Sequence, residues 1–245
     1  MNKIIDKIIN YIIIILLIGG GKLDINFIQT HYHLYIEAGI LTIRIAAIGI
    51  LLSLIIGIIC SLIKTMKIPV LKTIVSIYIE LSRNTPLLIQ LFFLYFGLPK
   101  IGITLSSEAC GIVGLAFLGG SYMAEAFRSG IENVSVVQHE SALSLGMTKM
   151  QVFWHIALPQ AFETSVPVLC ANFIFLIKET SVFSAVALAD LMFVAKDLIG
   201  VYYKTDEALL MLVIAYLIIL LPISLICTVI ERRVRYAGFG NSSTI

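Results

Sequence analysis

Lys178 and Glu179 stand side by side inside a long apolar run, and Glu125 stands inside another. Ionisable side chains in hydrocarbon are costly, so each marks either a polar path or a pair that neutralises itself. Thr180 and Ser181 follow the first pair, while Gly119, Gly120, Ser121 and Tyr122 lead up to Glu125. Two polar clusters of both signs at similar depth can line a hydrated pocket at the middle of a bilayer. A zwitterionic solute would need both signs, one for each of its ends. Ser121, Glu125, Lys178, Glu179 and Ser181 are therefore the candidate substrate contacts. Two other readings stay open: a helix–helix ion pair between Glu125 and Lys178, and an ion or proton relay through Glu125, Lys178 and Glu179.

Other chemistry-bearing residues point elsewhere. Glu80 and Arg83, three apart, can pair on one helix face, and the following Asn84-Thr85-Pro86 predicts a kink whose freed backbone groups Thr85 or its neighbours satisfy. "GGGK" at Gly19–Lys22 is not a phosphate loop, because Leu16 and Leu23 stand where Gly and Ser or Thr are required. His139-Glu140 opens a zinc-protease pattern that Leu143 breaks. His31-Tyr32-His33 reads as a polar linker. Cys60, Cys110, Cys170 and Cys227 are scattered singly in apolar stretches without metal-site spacing, as buried structural thiols are. No cofactor is expected on this chain.

The elements that carry these residues must be membrane helices. Of the 245 residues 59% are hydrophobic and only 13% charged, too few charges to cover a soluble domain. The net charge of +2 gives no reason to expect nucleic acid. A helix needs roughly 20 apolar residues to cross the hydrocarbon core. Five segments qualify, about 39–63, 74–98, 109–128, 165–190 and 208–230, and Pro167 and Pro222 should bend two of them. The shorter run Ile8 to Gly21 is a signal peptide or an uncleaved anchor. Residues 1–35 thus read as that segment plus an extracytoplasmic linker, 36–235 as the transmembrane domain, and 236–245 as a cytoplasmic tail.

Lysine and arginine favour cytoplasmic loops. Lys64, Lys67, Lys72, Arg128, Lys149, Arg232, Arg233 and Arg235 then lie inside. Lys22, Lys100, Lys196 and Lys204 lie outside, balanced by Asp24, Glu108, Asp197, Asp206 and Glu207. Arg44, near the outer end of its span, is within reach of water by snorkelling. On this orientation the segment 129–164 and the C-terminus are cytoplasmic.

That segment contains "HESALSLGMTKMQVFWHIALPQ", His139 to Gln160. Its residue types predict two short helices around Gly146, with Leu158-Pro159 as the stop. Leu143, Met147, Met150, Phe153, Trp154 and Ala157 recur at helical spacing, giving one apolar stripe. Such a stripe serves either a bilayer surface or a soluble partner. Glu140-Ser141-Ala142, three residues, Gly146, nine residues, then Ile156-Ala157-Leu158-Pro159 resembles the EAA loop of ATP-binding cassette importer permeases, with Ser141 in place of the first Ala.

"ELSRNTPLLIQLFFLYFGLP" (80–99), "SYMAEAFRSGIE" (121–132) and "LIKETSVFSAVALADL" (176–191) resemble the polar amino-acid branch of that family, the histidine, glutamine and arginine type. The likeness covers about residues 36–235. It implies an all-α membrane protein with five core transmembrane helices plus the N-terminal segment, in the type I importer fold, in the bacterial cytoplasmic (inner) membrane. It further implies a coupling role for Glu140, Ser141, Ala142, Gly146, Ile156, Leu158 and Pro159. The implied partners are ATPase subunits carrying ATP and magnesium, a second permease subunit, an extracytoplasmic solute-binding protein and a polar amino acid. Function would then be ATP-driven import rather than the secondary transport that an intramembrane ion relay would serve.

Overall fold

The computed structural model describes residues 23–65 and 68–237; the apolar run Ile8 to Gly21 and the polar tail from Gly240 lie outside them. Helix α1 spans Ile25–Thr65 and α2 spans Pro69–Arg83. Helix α3, Leu87–Phe92, runs on through a π turn at Phe93–Gly97 and a 3-10 turn at Leu98–Ile101. Helix α4 spans Ser107–Glu132, with the Ser106 hydroxyl accepting from the Ala109 N–H at 3.2 Å as its cap. Short helices α5 (Val136–Ser144) and α6 (Lys149–Val152) lead through a π turn at Phe153–Ala157 into α7, Leu158–Glu179. A 3-10 stretch, Thr180–Val186, precedes α8 (Leu191–Tyr202), capped by Asp190, and α9, Thr205–Ala237. Among the described residues there is no strand.

Helix α4 forms the axis of the bundle. Gly49 of α1 lies against Leu115 and Gly57 against Met123, so the two helices run parallel in matched steps of eight residues. Small residues bring backbones close where lipid gives no hydrophobic drive to associate. A Cβ on Gly120 would sit 2.5 Å from Ile56 Cγ2 and 2.6 Å from the Tyr78 hydroxyl. Helices α2 and α7 run antiparallel to α4. Tyr78 and Ser82 donate to the Phe117 carbonyl at 2.7 and 3.0 Å, Ser165 to Ala126 O at 3.2 Å, and the Asn172 side-chain amide to Tyr122 O at 3.3 Å. Ile45, Leu91, Leu115, Met123, Leu176 and Phe183 fill the core between these helices. Cys60, Cys110, Cys170 and Cys227 are buried free thiols.

The outer surfaces are apolar. Ile40, Leu51, Ile59, Ile218, Leu225 and Ile226 are exposed on α1 and α9, the arrangement expected where the solvent is hydrocarbon. Among the described residues four helices are long and apolar enough to cross a membrane: Ile25–Lys64, Ser107–Glu132, Lys149–Val186 and Thr205–Val234.

Several expected boundaries shift. Helix α1 starts at Ile25, so the residues from there to 35, read as a linker, are helical. Arg44 pairs with Glu108 of α4 at 2.6 Å, and Lys204 with Asp24 at 3.2 Å. The Phe27 N–H and then the Lys204 ammonium hold the Asp24 carboxyl below its ordinary range. The expected span 74–98 is a broken pair, α2 and α3, because Pro86 has no N–H for the Ser82 carbonyl. The Gln90 amide fills that role, donating to Ser82 O at 3.1 Å and Thr85 O at 3.0 Å. Asn84 and Thr85 serve Glu80 O and Leu81 O, both at 2.8 Å. The expected span 165–190 stays α-helical only to Glu179, and α8 was not foreseen.

Candidate functional site

Two cavities open beside α4, and they share one wall. The first, about 300 Å³, lies between the α2–α3 break (Arg83, Thr85, Leu88), Tyr122 of α4, and Phe175 and Glu179 of α7. The second, about 390 Å³, lies nearer the end carrying Lys64 and Lys72, with Glu80 and Arg83 on one side and Glu125 and Arg128 on the other. Both are of ligand-pocket size. Arg83 belongs to each, its guanidinium carbon 5.2 Å from the centroid of the Tyr122 ring.

The five candidate contacts separate. Glu179 faces the first cavity, half-buried and with no ion-pair partner among the described residues. Glu125 lines the second, where Arg128 holds it: the Nε donates to both carboxylate oxygens at 3.0 Å, and a second guanidinium nitrogen pairs with Glu132. The expected alternative of Glu125 pairing with Lys178 does not occur, since α4 supplies its own cation three residues on. Lys178 is exposed and lines neither cavity. Ser121 is buried and donates to Leu118 O at 2.7 Å. Ser181 is half-buried in the 3-10 stretch.

Arg83 is the residue that sequence reasoning passed over. Its spacing to Glu80 pointed to a pair on one helix face, but Glu80 instead accepts from the Asn84 side chain at 3.1 Å. The available signal was the Pro86 break, which turns the end of α2 toward α4 and α7.

The segment from Glu140 to Pro159 forms a hairpin at the same end as Lys64. Helix α5 closes on Gly146, whose φ of 86° is left-handed. Gly146 N–H bonds Leu143 O at 3.0 Å and Met147 N–H bonds Ala142 O at 3.2 Å, the paired closure of a Schellman motif. Thr148 then starts α6 with a reciprocal box: Thr148 N–H to Gln151 Oε1 at 2.8 Å, Gln151 N–H to the Thr148 hydroxyl at 3.3 Å. Ala142 and Val152 are the buried anchors, while Glu140, Ser141, Gly146, Leu158 and Pro159 are exposed and Ile156 is half-buried.

The apolar stripe is thus divided: Leu143, Met147, Phe153 and Ala157 are half-buried, while Met150 and Trp154 stand 66% and 57% exposed; Leu145, off the stripe, is 85% exposed. Pro159 is no stop. It is the second residue of α7, and the π turn before it carries the chain past a position where an α-helical Pro159 ring would meet the His155 carbonyl.

A helix bundle with an apolar outside, charges gathered on internal cavities and an uncovered hairpin at one end is a membrane transport subunit. Residues 49–236 match the family described as the binding-protein-dependent transport system inner membrane component, and the chain belongs to that family. Similar proteins include the probable glutamine ABC transporter permease protein GlnP of Bacillus subtilis (strain 168), 34% identical over 70% of this chain and 79% of that protein. The L-cystine transport system permease protein TcyB of the same organism is 32% identical over 89% of this chain and 95% of its own length. Among solved structures, an amino acid ABC transporter crystallised with histidines superposes with a TM-score of 0.82 at 31% identity, over 87% of this chain and all of that one.

Proposed function

We propose that this chain is the permease subunit of an ATP-driven importer of a polar amino acid in the bacterial cytoplasmic membrane, with its C-terminus in the cytoplasm. The observation that carries the reading is the Glu140–Pro159 hairpin. Its closing turns are fully bonded, yet Leu145, Met150 and Trp154 remain uncovered beside exposed Glu140. A rigid element with exposed apolar anchors and a carboxylate suits the groove of a soluble partner. That partner is an ATPase that binds ATP and magnesium, and the coupling contacts are Glu140, Ser141, Ala142, Gly146, Ile156, Leu158 and Pro159.

The first cavity supports the substrate assignment. Arg83 and Glu179 face it, neither with an ion-pair partner among the described residues, so a carboxylate and an ammonium each have a counter-charge there. Of the five expected contacts, Glu179 keeps this role, and Arg83 rather than Lys178 supplies the cation. Names of the relatives, glutamine and cystine permeases, favour an amino acid. A second permease subunit closes the open side of the cavity, and an extracytoplasmic binding protein delivers the solute.

Vesicles containing the chain with its ATPase and binding protein should take up labelled glutamine or cystine only when ATP is supplied. Uptake driven by an ion gradient without the ATPase would overturn the reading. Glu140→Lys and Leu145→Asp should each reduce co-purification of the ATPase at least about ten-fold, roughly the cost of one lost hot spot, while membrane insertion persists. Undiminished co-purification of both variants removes the hairpin from the docking role.

A further inference from the structure

Helix α7 ends at Glu179, and the chain continues as the 3-10 stretch Thr180–Val186 before reversing through Ala187, whose φ of 54° is left-handed. The carboxylate that faces the first cavity therefore sits where one winding gives way to another, and its direction depends on what fixes Thr180. Apolar packing does part of this, since Phe183, Val186 and Leu191 are fully buried. The rest is polar. Thr180 and Asp190 are also fully buried, and the hydroxyl of Tyr216, on α9, stands beside Thr180 and within the field of Asp190. Thr180 donates to Ile177 O at 2.8 Å. One side of the Asp190 carboxylate is held by N–H groups at the start of α8, with Oδ1 accepting from Phe193 at 3.0 Å. Asp190 Oδ2 and the Tyr216 hydroxyl, both buried, have no hydrogen-bond partner among the described residues. Lys196, the cation whose field reaches Asp190, is exposed and donates to the Ser184 hydroxyl at 3.0 Å.

We infer that Tyr216 and Asp190 are positioning residues for Glu179. The Tyr216 hydroxyl closes on Asp190 Oδ2, and this link between α9 and the start of α8 sets Thr180, and with it the direction in which the Glu179 carboxylate enters the first cavity. The inference rests on the amino-acid reading above, in which Glu179 meets the ammonium. The Thr180 proton is committed to Ile177 O, and an ionised carboxylate offers only lone pairs, so Tyr216 is the donor. A bond from a phenol to a carboxylate is stronger than one between neutral groups, and apolar surroundings strengthen it further. Two polar atoms left open in an apolar interior are costly, whereas phenylalanine at 216 would fill the same space without that cost. Their meeting marks a polar contact rather than packing. In the 3-10 winding successive residues turn about 120° instead of about 100°, so the point at which the winding changes decides where Glu179 points.

The test uses the complete assembly in vesicles, with labelled glutamine or cystine, whichever the wild type takes up. Wild-type uptake tests the amino-acid reading by itself; comparison among variants tests the positioning. Tyr216→Phe removes the hydroxyl alone and should raise KM at least about five-fold with the maximal rate within about two-fold, the pattern of a weakened solute contact. In a Glu179→Gln background the same change should move KM less than about two-fold, because both substitutions act on one contact. Asp190→Asn keeps the cap and supplies an amide that bonds the hydroxyl, so it should stay near wild type, while Asp190→Ala should follow Tyr216→Phe. A second readout needs no transport and decides the matter whichever solute is carried. Glu179→Cys, labelled from the cavity by a charged thiol reagent, should react at a rate changed at least about five-fold by Tyr216→Phe, whereas Leu88→Cys, on the α2–α3 side of the same cavity, should not. Elution of each detergent-extracted assembly at the wild-type volume separates these effects from misfolding. An equal KM rise in both Glu179 backgrounds, or labelling of Glu179→Cys unaltered by Tyr216→Phe, overturns the positioning role.

Discussion

Arg83 and Lys178 illustrate what a single residue's neighbours decide. Both are cations beside polar residues in apolar surroundings, and spacing alone ranks Lys178 higher because Glu179 adjoins it. Adjacent residues on a helix point about 100° apart; with Leu176 and Phe183 packed into the core, Glu179 lines the first cavity and Lys178 is exposed outside it. Gln90 is a second case. Nothing in an apolar sequence marks it as special, yet it bonds the carbonyls that Pro86 releases. Gln90→Leu keeps the shape and removes both donors, leaving Ser82 O and Thr85 O unpaired in a water-poor interior. The expected cost is about 1–3 kcal/mol, read as a lower midpoint of thermal unfolding in detergent. An unchanged midpoint means that water reaches the break.

Elements were legible where one physical rule acts alone. Long apolar stretches gave α1, α4 and α9 with shifted ends, because the ends depend on caps and ion pairs such as Asp24 with Lys204 that apolarity does not report. The hairpin turn at Gly146 was readable from a glycine between helix formers. The role of Pro159 was not, since a proline that ends an α-helix is tolerated where a π turn precedes it. The same device recurs at Phe93–Gly97 before Leu98-Pro99. Gly146 supplies the test at this scale. Valine there must adopt a φ of 86° at about 1–2 kcal/mol, whereas asparagine enters that region readily. Gly146→Val should lower ATPase co-purification and Gly146→Asn should largely spare it; equal behaviour of the two would mean that the turn is not what orients α5.

At the scale of the molecule, α4 touches every other long element that lines the two cavities, and it does so through glycine. A Cβ on Gly130 would lie 2.5 Å from the Ala161 carbonyl and against the Ser165 hydroxyl. Gly130→Val should therefore part α4 from α7 and abolish recovery of a monodisperse protein, while Gly200→Val, at a glycine whose Cβ would meet open space, should not. Gel filtration after detergent extraction distinguishes them. Alternation of the spans was visible in the sequence from the distribution of lysine and arginine, and the parallel α1–α4 and antiparallel α4–α7 pairings agree with it. Which faces meet was not visible, because a helix apolar all round has no stripe to orient it.

Pro159 has one more consequence. A wide coil turn elsewhere can tighten and let a residue through, so that a helix screws forward by about 1.5 Å and absorbs a push as slippage. Here the pyrrolidine ring forbids the tighter winding. Helix α7, 22 residues or about 33 Å of helix with Pro167 inside it, joins the hairpin at one end to Glu179 at the other. On the docking role proposed above, a push on Trp154 is not absorbed by rewinding at the start of α7. On that reading, replacing Pro159 by alanine would introduce backlash, and more ATP would be hydrolysed for each solute carried.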